Sequence, residues 1–450
     1  MGTYQIILLV ISIVFVLALI AGIVFVVLML LKTKKLREEL SNTDALIDEV
    51  AKLSTTGTVV INAASIQVAG DEDQQLELIE EETEEEAVNT EESRFYKLTQ
   101  VDKEYKDYVP PEYDNEITLP EICERFRNFA CSRMHLYYDI KIIRLFIAAF
   151  ASTRLIILQG ISGTGKTSLP YAFGKFLQND ATIASVQPSW RDRAELFGYF
   201  NEFTKRFNET EVLKKMYEAT HNENIYVTIL DEMNIARVEY YFAEMLSILE
   251  MPSRDEWVVD LVPNMWPSDP ENIIEGKLHL PDNMWYIGTC NNDDSTFAVT
   301  DKVYDRAMSI DINEKGRPFE APDTEPLNLS YKHLEAMFNV AFEENKVSDE
   351  NLEKIANLDD YVIEHFRIAF GNRIVKQLKL YVPAYVACGG TEIDGIDYVL
   401  CHKIFRKFSS LNLSFVRDEI PGLITYLDKL FGKENMNECK DFLRRLHKLV

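Results

Sequence analysis

What this 450-residue chain lacks narrows its class first. It has six cysteines with no Cys-x-x-Cys pair, and its seven histidines do not cluster with them. That argues against structural zinc and leaves Cys123, Cys131, Cys290, Cys388, Cys401 and Cys439 as reduced, packed side chains. Positive charge is in deficit: 47 Lys+Arg stand against 73 Asp+Glu, a formal net charge of −26. Between Asp71 and Glu92 there are twelve acidic residues and no basic one. Residues 93–450, with 42 basic and 56 acidic residues, still carry −14, which disfavours a broad phosphate-gripping surface for nucleic acid. With 47% hydrophobic and 27% charged residues, wholesale disorder and fibrous repeats are excluded.

Charge of either sign is missing from Ile6 to Leu31, a run of 26 residues interrupted only by Ser12 and Gly22. As a helix it would span about 39 Å, more than the roughly 30 Å hydrocarbon core of a bilayer. Nothing basic precedes the run, and Lys32, Lys34, Lys35 and Arg37 follow it, the reverse of a cleavable signal peptide. The sequence therefore predicts a transmembrane anchor over 1–35, with the N-terminus outside and the chain from Lys32 onward in the cytoplasm. Residues 36–109 read as a short helix and an acidic, disordered linker, because from Ser54 to Val109 no apolar period persists. About 55 such residues would reach roughly 40 Å.

From Pro110 onward, helical patterns alternate with short apolar runs. This predicts an α/β nucleotide-binding domain over 110–315 and a helical domain over 316–450. The strand-like Arg154–Gln159 leads into Gly160-Ile-Ser-Gly-Thr-Gly-Lys166-Thr167, a full match to GxxxxGK[ST], and a helical stretch follows. Glycines at 160, 163 and 165 let the backbone wrap phosphates, and N–H groups at the helix start point at them. Lys166 supplies charge to the β- and γ-phosphates, Thr167 offers a hydroxyl to Mg²⁺, and Ser162, Thr164 and Ser168 complete the cradle. A second apolar strand, Ile225–Leu230, ends at Asp231-Glu232, suited to holding Mg²⁺ (Asp231) and polarising a water (Glu232). A third, Met284–Thr289, ends at Cys290-Asn291, where a polar side chain could orient that water.

With LDEMN (Leu230–Asn234), GTCNNDDS (Gly288–Ser295) and YDRAMSI (Tyr304–Ile310), the chain resembles the AAA+ ATPases. More narrowly it resembles their dynein-related and McrB-type branch, the motors of modified-cytosine restriction. Asp231, Glu232 and Asn234 match the branch's acidic motif; Asn291 and Asp294 match the next one, with Cys290 standing where the family has Met. The resemblance covers roughly residues 130–450. It implies a P-loop AAA+ parallel-sheet sandwich with a C-terminal helical lid, and it makes Asn291 and Asp294 catalytic. It places Arg306 at the family's arginine finger, which would complete a neighbouring subunit's site; a surface ion pair with Asp301 or Asp305 is the plain alternative. It makes Arg373, in Phe370-Gly-Asn-Arg373, a lid arginine on the bound nucleotide.

The implied cofactors are ATP and Mg²⁺, with GTP left open because neither phosphate motif reads the base. The implied assembly is a homo-oligomeric ring, a hexamer in the family, that remodels a protein partner the sequence does not name. Two further readings stay open: a restriction-type motor acting on DNA with a separate nuclease, and a nucleotide-gated scaffold. Two segments read as insertions. In Gln187–Asn201, Trp190 and Tyr199 are candidate substrate contacts or simply packed aromatics; Trp257–Val262 and Lys277–Leu280 read as a hairpin.

Overall fold

The computed structural model describes residues 59–62, 65–68, 92–291, 296–411 and 413–449. The expected anchor over 1–35 and Asp294 lie outside these. Among the described residues, no helix is long and apolar enough to cross a membrane. The chain divides into two compact units, Met1–Glu86 and Ala87–Val450. In the first, Val59–Asn62 and Ser65–Val68 pair antiparallel, Val59 opposite Val68. Their β-branched residues suit that pairing, in a segment whose sequence reads as unstructured linker.

The second unit begins well before the expected boundary at 109. Helix α1, Tyr96–Tyr105, buries Leu98 and Val101, and Phe95 just before it is fully buried. The Glu209 carboxylate accepts hydrogen bonds from the backbone N–H groups of Tyr96, Lys97 and Leu98 at 2.9–3.0 Å, capping the helix. Arg94 forms a two-point ion pair with Asp269, at 2.9 and 2.7 Å, with both side chains almost entirely buried. Its guanidinium also lies 4.5 Å over the Trp266 ring. These partners sit more than a hundred residues downstream, so the sequence around position 94 gives no local sign of them.

Helices α2 (Leu119–Met134) and α3 (Ile140–Ser152) follow, started by a Thr118/Glu121 capping box and by the Asp139 side chain. The central sheet has five strands, numbered here in chain order: β1 (Leu155–Gly160), β2 (Thr182–Ser185), β3 (Tyr226–Asp231), β4 (Met284–Asn291) and β5 (Met308–Asp311). All its pairings are parallel, in the order β5-β1-β4-β3-β2. Every residue of β1 is buried, as expected of a strand covered on both faces. Alternate side chains of β1 enter different cores. Ile156 and Leu158 pack with α2, α3 and α4 (Ser168–Phe176); Leu155 and Ile157 pack with α1 and α5 (Glu211–Glu218).

Short α6 (Asp301–Tyr304) precedes β5. Beyond Ser330 the chain is helical: α7 (Tyr331–Glu344), α8 (Asp349–Phe366), α9 (Asn372–Ala387), α10 (Glu392–Lys403), α11 (Leu413–Phe431) and α12 (Asn437–Leu449). Ser330, Ser348 and Thr391 cap α7, α8 and α10 with their hydroxyls. The helical region shares the core on the α2–α4 side of the sheet. The fold is thus α/β, a parallel central sheet with a helical C-terminal region. The insertions form separate antiparallel ribbons, Gly198–Asn201 with Arg206–Glu209, and Val258–Asp260 with Lys277–His279 and Ile273–Ile274.

Candidate active site

Parallel strands deliver their loops to one edge of the sheet, and ligands of such sheets bind beyond the carboxyl ends. At that edge β1 ends in Gly160, β3 in Asp231 and β4 in Asn291. Because β4 lies between β1 and β3, Asn291 stands in register with Gly160 and beside the acidic pair. Asp231 and Asn291, 71 and 131 positions after Gly160, are brought to it by strand order alone.

The loop itself is shaped by its glycines. Gly165 has φ +91°, a conformation costly for any residue with a Cβ, and a Cβ there would lie 2.9 Å from the Tyr138 hydroxyl. That hydroxyl donates to the Gly165 carbonyl at 2.9 Å, fixing the turn from α3's side. Lys166 is 6% exposed, and its Nζ donates to the carbonyls of Gly160 (3.2 Å) and Ile161 (2.7 Å). The ammonium is therefore held inside the loop's own curve, and burial pushes its pKa below the usual lysine value. Thr164 Oγ1 donates to the Ile161 carbonyl at 2.9 Å, while Ser162 and Gly163 are exposed. Thr167 and Ser168 start α4, whose free N–H groups face the same curve.

The hydroxyls of Thr167 and Thr289 both donate to Asp231 Oδ1, at 2.8 and 2.9 Å. Thr289 Oγ1 in turn accepts from the Glu232 backbone N–H at 2.9 Å. Glu232 has φ +52°, ψ 46°, a left-handed conformation worth about 1–3 kcal/mol of strain, and its side chain is exposed at the strand tip. Asn234 is buried, and its Nδ2 donates to the carbonyls of Asn291 (2.9 Å) and Phe297 (3.2 Å), tying the acidic loop to the end of β4. Cys290, beneath Asn291, is buried and its thiol is pushed up to about 12 by desolvation, so it is no nucleophile.

Thr167 and Asp231 offer two hard oxygen donors in contact, a set that fits Mg²⁺ once phosphate oxygens and water supply the rest. Among the described residues, no group of three or more His, Cys, Asp or Glu could hold a metal ion. An ion at Thr167–Asp231 would thus depend on a bound phosphate.

Neither Arg306, expected to serve a neighbouring subunit's site, nor Arg373, expected as a lid arginine, meets this chain's own phosphate loop. Arg306 precedes β5, and its carbonyl accepts from Thr153, just before β1. That is the amino edge of the sheet, roughly 16–20 Å from Gly160 along β1 at about 3.3 Å per residue. Its guanidinium donates to the carbonyls of Leu246 (3.0 Å) and Lys302 (2.6 Å) and pairs with Glu250. Asp301 and Asp305, the anticipated local partners, pair with Arg406 and Lys407. Arg373 does not meet its own chain's phosphate loop; it too pairs with Glu250. The reason is the docking of α9, whose first turns lie along the segment leading into β5, with Gln377 donating to the Asp305 carbonyl.

A cleft of about 710 Å³ opens beside the phosphate loop, lined among others by Tyr137, Tyr138, Gln159, Asp311, Arg406 and Arg445. The helical region's arginines on this cleft are Arg406 and Arg445, neither singled out by sequence. Tyr138 and Thr289 were missed too, since each acts through hydrogen bonds that no motif encodes. Of the insertion aromatics, Trp190 packs edge-on against Tyr241 at 5.2 Å, whereas Tyr199 is half exposed.

No protein-family model matches this chain. A curated relative is the type IV methyl-directed restriction enzyme EcoKMcrB subunit of Escherichia coli K12, 27% identical over 190 residues. The match takes in 39% of this chain and 38% of that protein, so this chain covers well under two thirds of its relative. Among solved structures, a Cytophaga hutchinsonii protein provisionally described as an ATPase aligns with TM-score 0.44 and 12% identity, over 74% of this chain and 96% of that one. A helicase described as SCCmec type IV Cch aligns with TM-score 0.32 and 13% identity, over 72% and 59%. Scores this low add nothing to the fold argument. The sequence motifs and the curated relative agree: this chain is similar to the AAA+ ATPases of the McrB type.

Proposed function

We propose that this chain is a nucleoside triphosphate hydrolase, ATP being the preferred reading, that works as a homo-oligomeric ring and remodels a partner protein. The observation that carries the proposal is the division of parts between two edges. Lys166, Thr167, Asp231, Glu232 and Asn291 gather at the carboxyl edge of the sheet, while Arg306 sits at the amino edge. An arginine so far from its own loop is placed away from its own nucleotide, which supports a role at another subunit's site. In this reading the loop N–H groups and Lys166 bind the phosphates. Glu232 accepts a proton from the attacking water, and Asn291 orients that water. Mg²⁺ would be held by Thr167 and Asp231, where it would neutralise charge on the phosphates. Arg306 would leave Glu250 for the neighbour's γ-phosphate; such an arginine is worth about 10³–10⁵ in rate in well-studied phosphoryl transfer. The uncharged Ile6–Leu31 run would anchor the ring to a membrane with its catalytic part on the cytoplasmic side, a reading that rests on sequence.

A second reading, a restriction motor that works on DNA with a separate nuclease, is favoured by the curated relative's description. The −14 charge of residues 93–450 weighs against it.

The ring is tested by mixing variants. Lys166→Ala and Arg306→Ala should each be nearly inactive alone. Together they should regain turnover, because some interfaces pair an intact loop with an intact arginine. No recovery, or a fully active Arg306→Ala protein, would remove the shared site.

A further inference from the structure

A guanidinium at the amino edge of the sheet has no acid of its own. Arg154 stands one residue before β1, and burial pushes its pKa down to about 10. The group lies 4.1 Å over the Trp285 ring, a contact that offsets part of the charge and supplies no acceptor oxygen. An arginine carries five N–H donors. Among the described residues two acceptors meet them, both at the limit of a hydrogen bond: the Phe150 carbonyl at 3.5 Å and the Tyr331 hydroxyl at 3.4 Å. Nε is buried without a partner. The acids nearby are engaged with Arg254. Asp282 pairs with it, and Glu335 lies 3.8 Å from it while accepting from the Tyr331 hydroxyl at 2.6 Å. A buried charge left without a counter-charge is costly, so the position calls for an acceptor from outside the chain.

Arg154 lines a cavity of about 220 Å³ whose walls are largely aromatic or apolar, Phe150, Trp285, Leu334, Phe338 and Phe342 among them. An apolar cavity of about 150 Å³ takes benzene, so this one has room for a phenyl ring and a few further atoms. It shares no lining residue with the cleft beside the phosphate loop. The length of β1 separates Arg154 from Gly160, roughly 20 Å at about 3.3 Å per residue. We propose that this cavity is a second ligand site, which takes a small aromatic carboxylate with its ring among the apolar walls and its carboxylate on Arg154. The two carboxylate oxygens match the fork of a guanidinium and supply the acceptors that Arg154 lacks. The ring displaces water from apolar walls. A phosphate dianion suits the site less well, because Glu335 on the same wall repels a second negative charge. The site goes beyond the hydrolase reading and does not depend on it. If the Trp285 stack alone settled the charge, an acid would have no advantage here over its neutral amide.

The test uses the full-length chain and phenylacetate as the probe, followed by equilibrium dialysis with the radiolabelled acid. Binding should saturate at one site per chain, with a Kd of about 1 mM or tighter for a ligand of this size. Phenylacetamide has the same shape without the charge and should bind at least about tenfold more weakly. Arg154→Met keeps an apolar stem over Trp285 and removes the guanidinium, so it should weaken phenylacetate binding at least about tenfold. The acid should also raise the thermal unfolding midpoint of wild type and leave that of Arg154→Met where it was. Asn339→Trp fills the cavity from its exposed rim on α7 with Arg154 intact, and it should exclude the probe as well. That second variant keeps the test decisive if Arg154→Met does not fold. No saturation by about 10 mM would overturn the inference. So would equal binding of acid and amide, or phenylacetate binding unchanged in either variant.

Discussion

Lys403 shows how a single residue ties the helical region to the sheet. It is 2% exposed, and its ammonium caps two carbonyls of the segment that carries Arg306. Burial lowers its pKa to about 7, against roughly 10.4 in an unfolded chain. Between those values the unfolded state binds a proton that the folded state does not, so stability rises with pH across this window. Below about pH 7 both states are protonated and the buried charge counts fully against the fold. Lys403→Met should therefore gain most relative to wild type near pH 6, and its advantage should shrink towards pH 10, as read from urea midpoints. A difference independent of pH would mean the lysine stays charged in the fold throughout. At this scale the sequence is legible only where a motif fixes spacing. Lys166, Thr167, Asp231 and Glu232 are named by the glycine pattern and by an acidic pair at a strand end. Tyr138, Thr289 and Glu250 act through hydrogen bonds or ion pairs across tens of residues or more, and no local pattern marks them.

Among elements, strands were the easiest to read. Apolar runs at 154–159, 225–230 and 284–289 suit buried strands between helices, and each strand lies within two residues of its run. The arm at 92–105 reads as tether in sequence because the acidic run before it dominates the composition, while its anchors, Asp269 and Glu209, come far later. This arm is integral to the second unit. Removing one partner of a buried ion pair typically costs about 3–5 kcal/mol, because the other charge is left stranded. Arg94→Ala should lower the unfolding midpoint accordingly and expose α1 to proteolysis, with nucleotide binding retained below that midpoint. An unchanged midpoint would reduce the Arg94–Asp269 pair to a passive contact. The α9 docking leaves no local mark in the sequence either, since helix periodicity tells which face is apolar and not which neighbour it meets.

For the whole molecule, the parallel order β5-β1-β4-β3-β2 does the assembling. It carries the phosphate loop, acidic pair and Asn291 to one edge and leaves Arg306 and Arg373 at the other. In the proposed ring, each protomer would supply its phosphate loop to one site and Arg306 to the next. The proposed function depends on whether the carboxyl edge hydrolyses nucleotide, with Glu232 as the base. The measurement is labelled-ATP binding and steady-state turnover on the same preparations of wild type and Glu232→Gln. The substitution keeps size and hydrogen-bonding shape, so binding should match wild type while turnover falls by about 10²-fold or more. Turnover near wild type, or no ATP binding by either protein, would contradict the account.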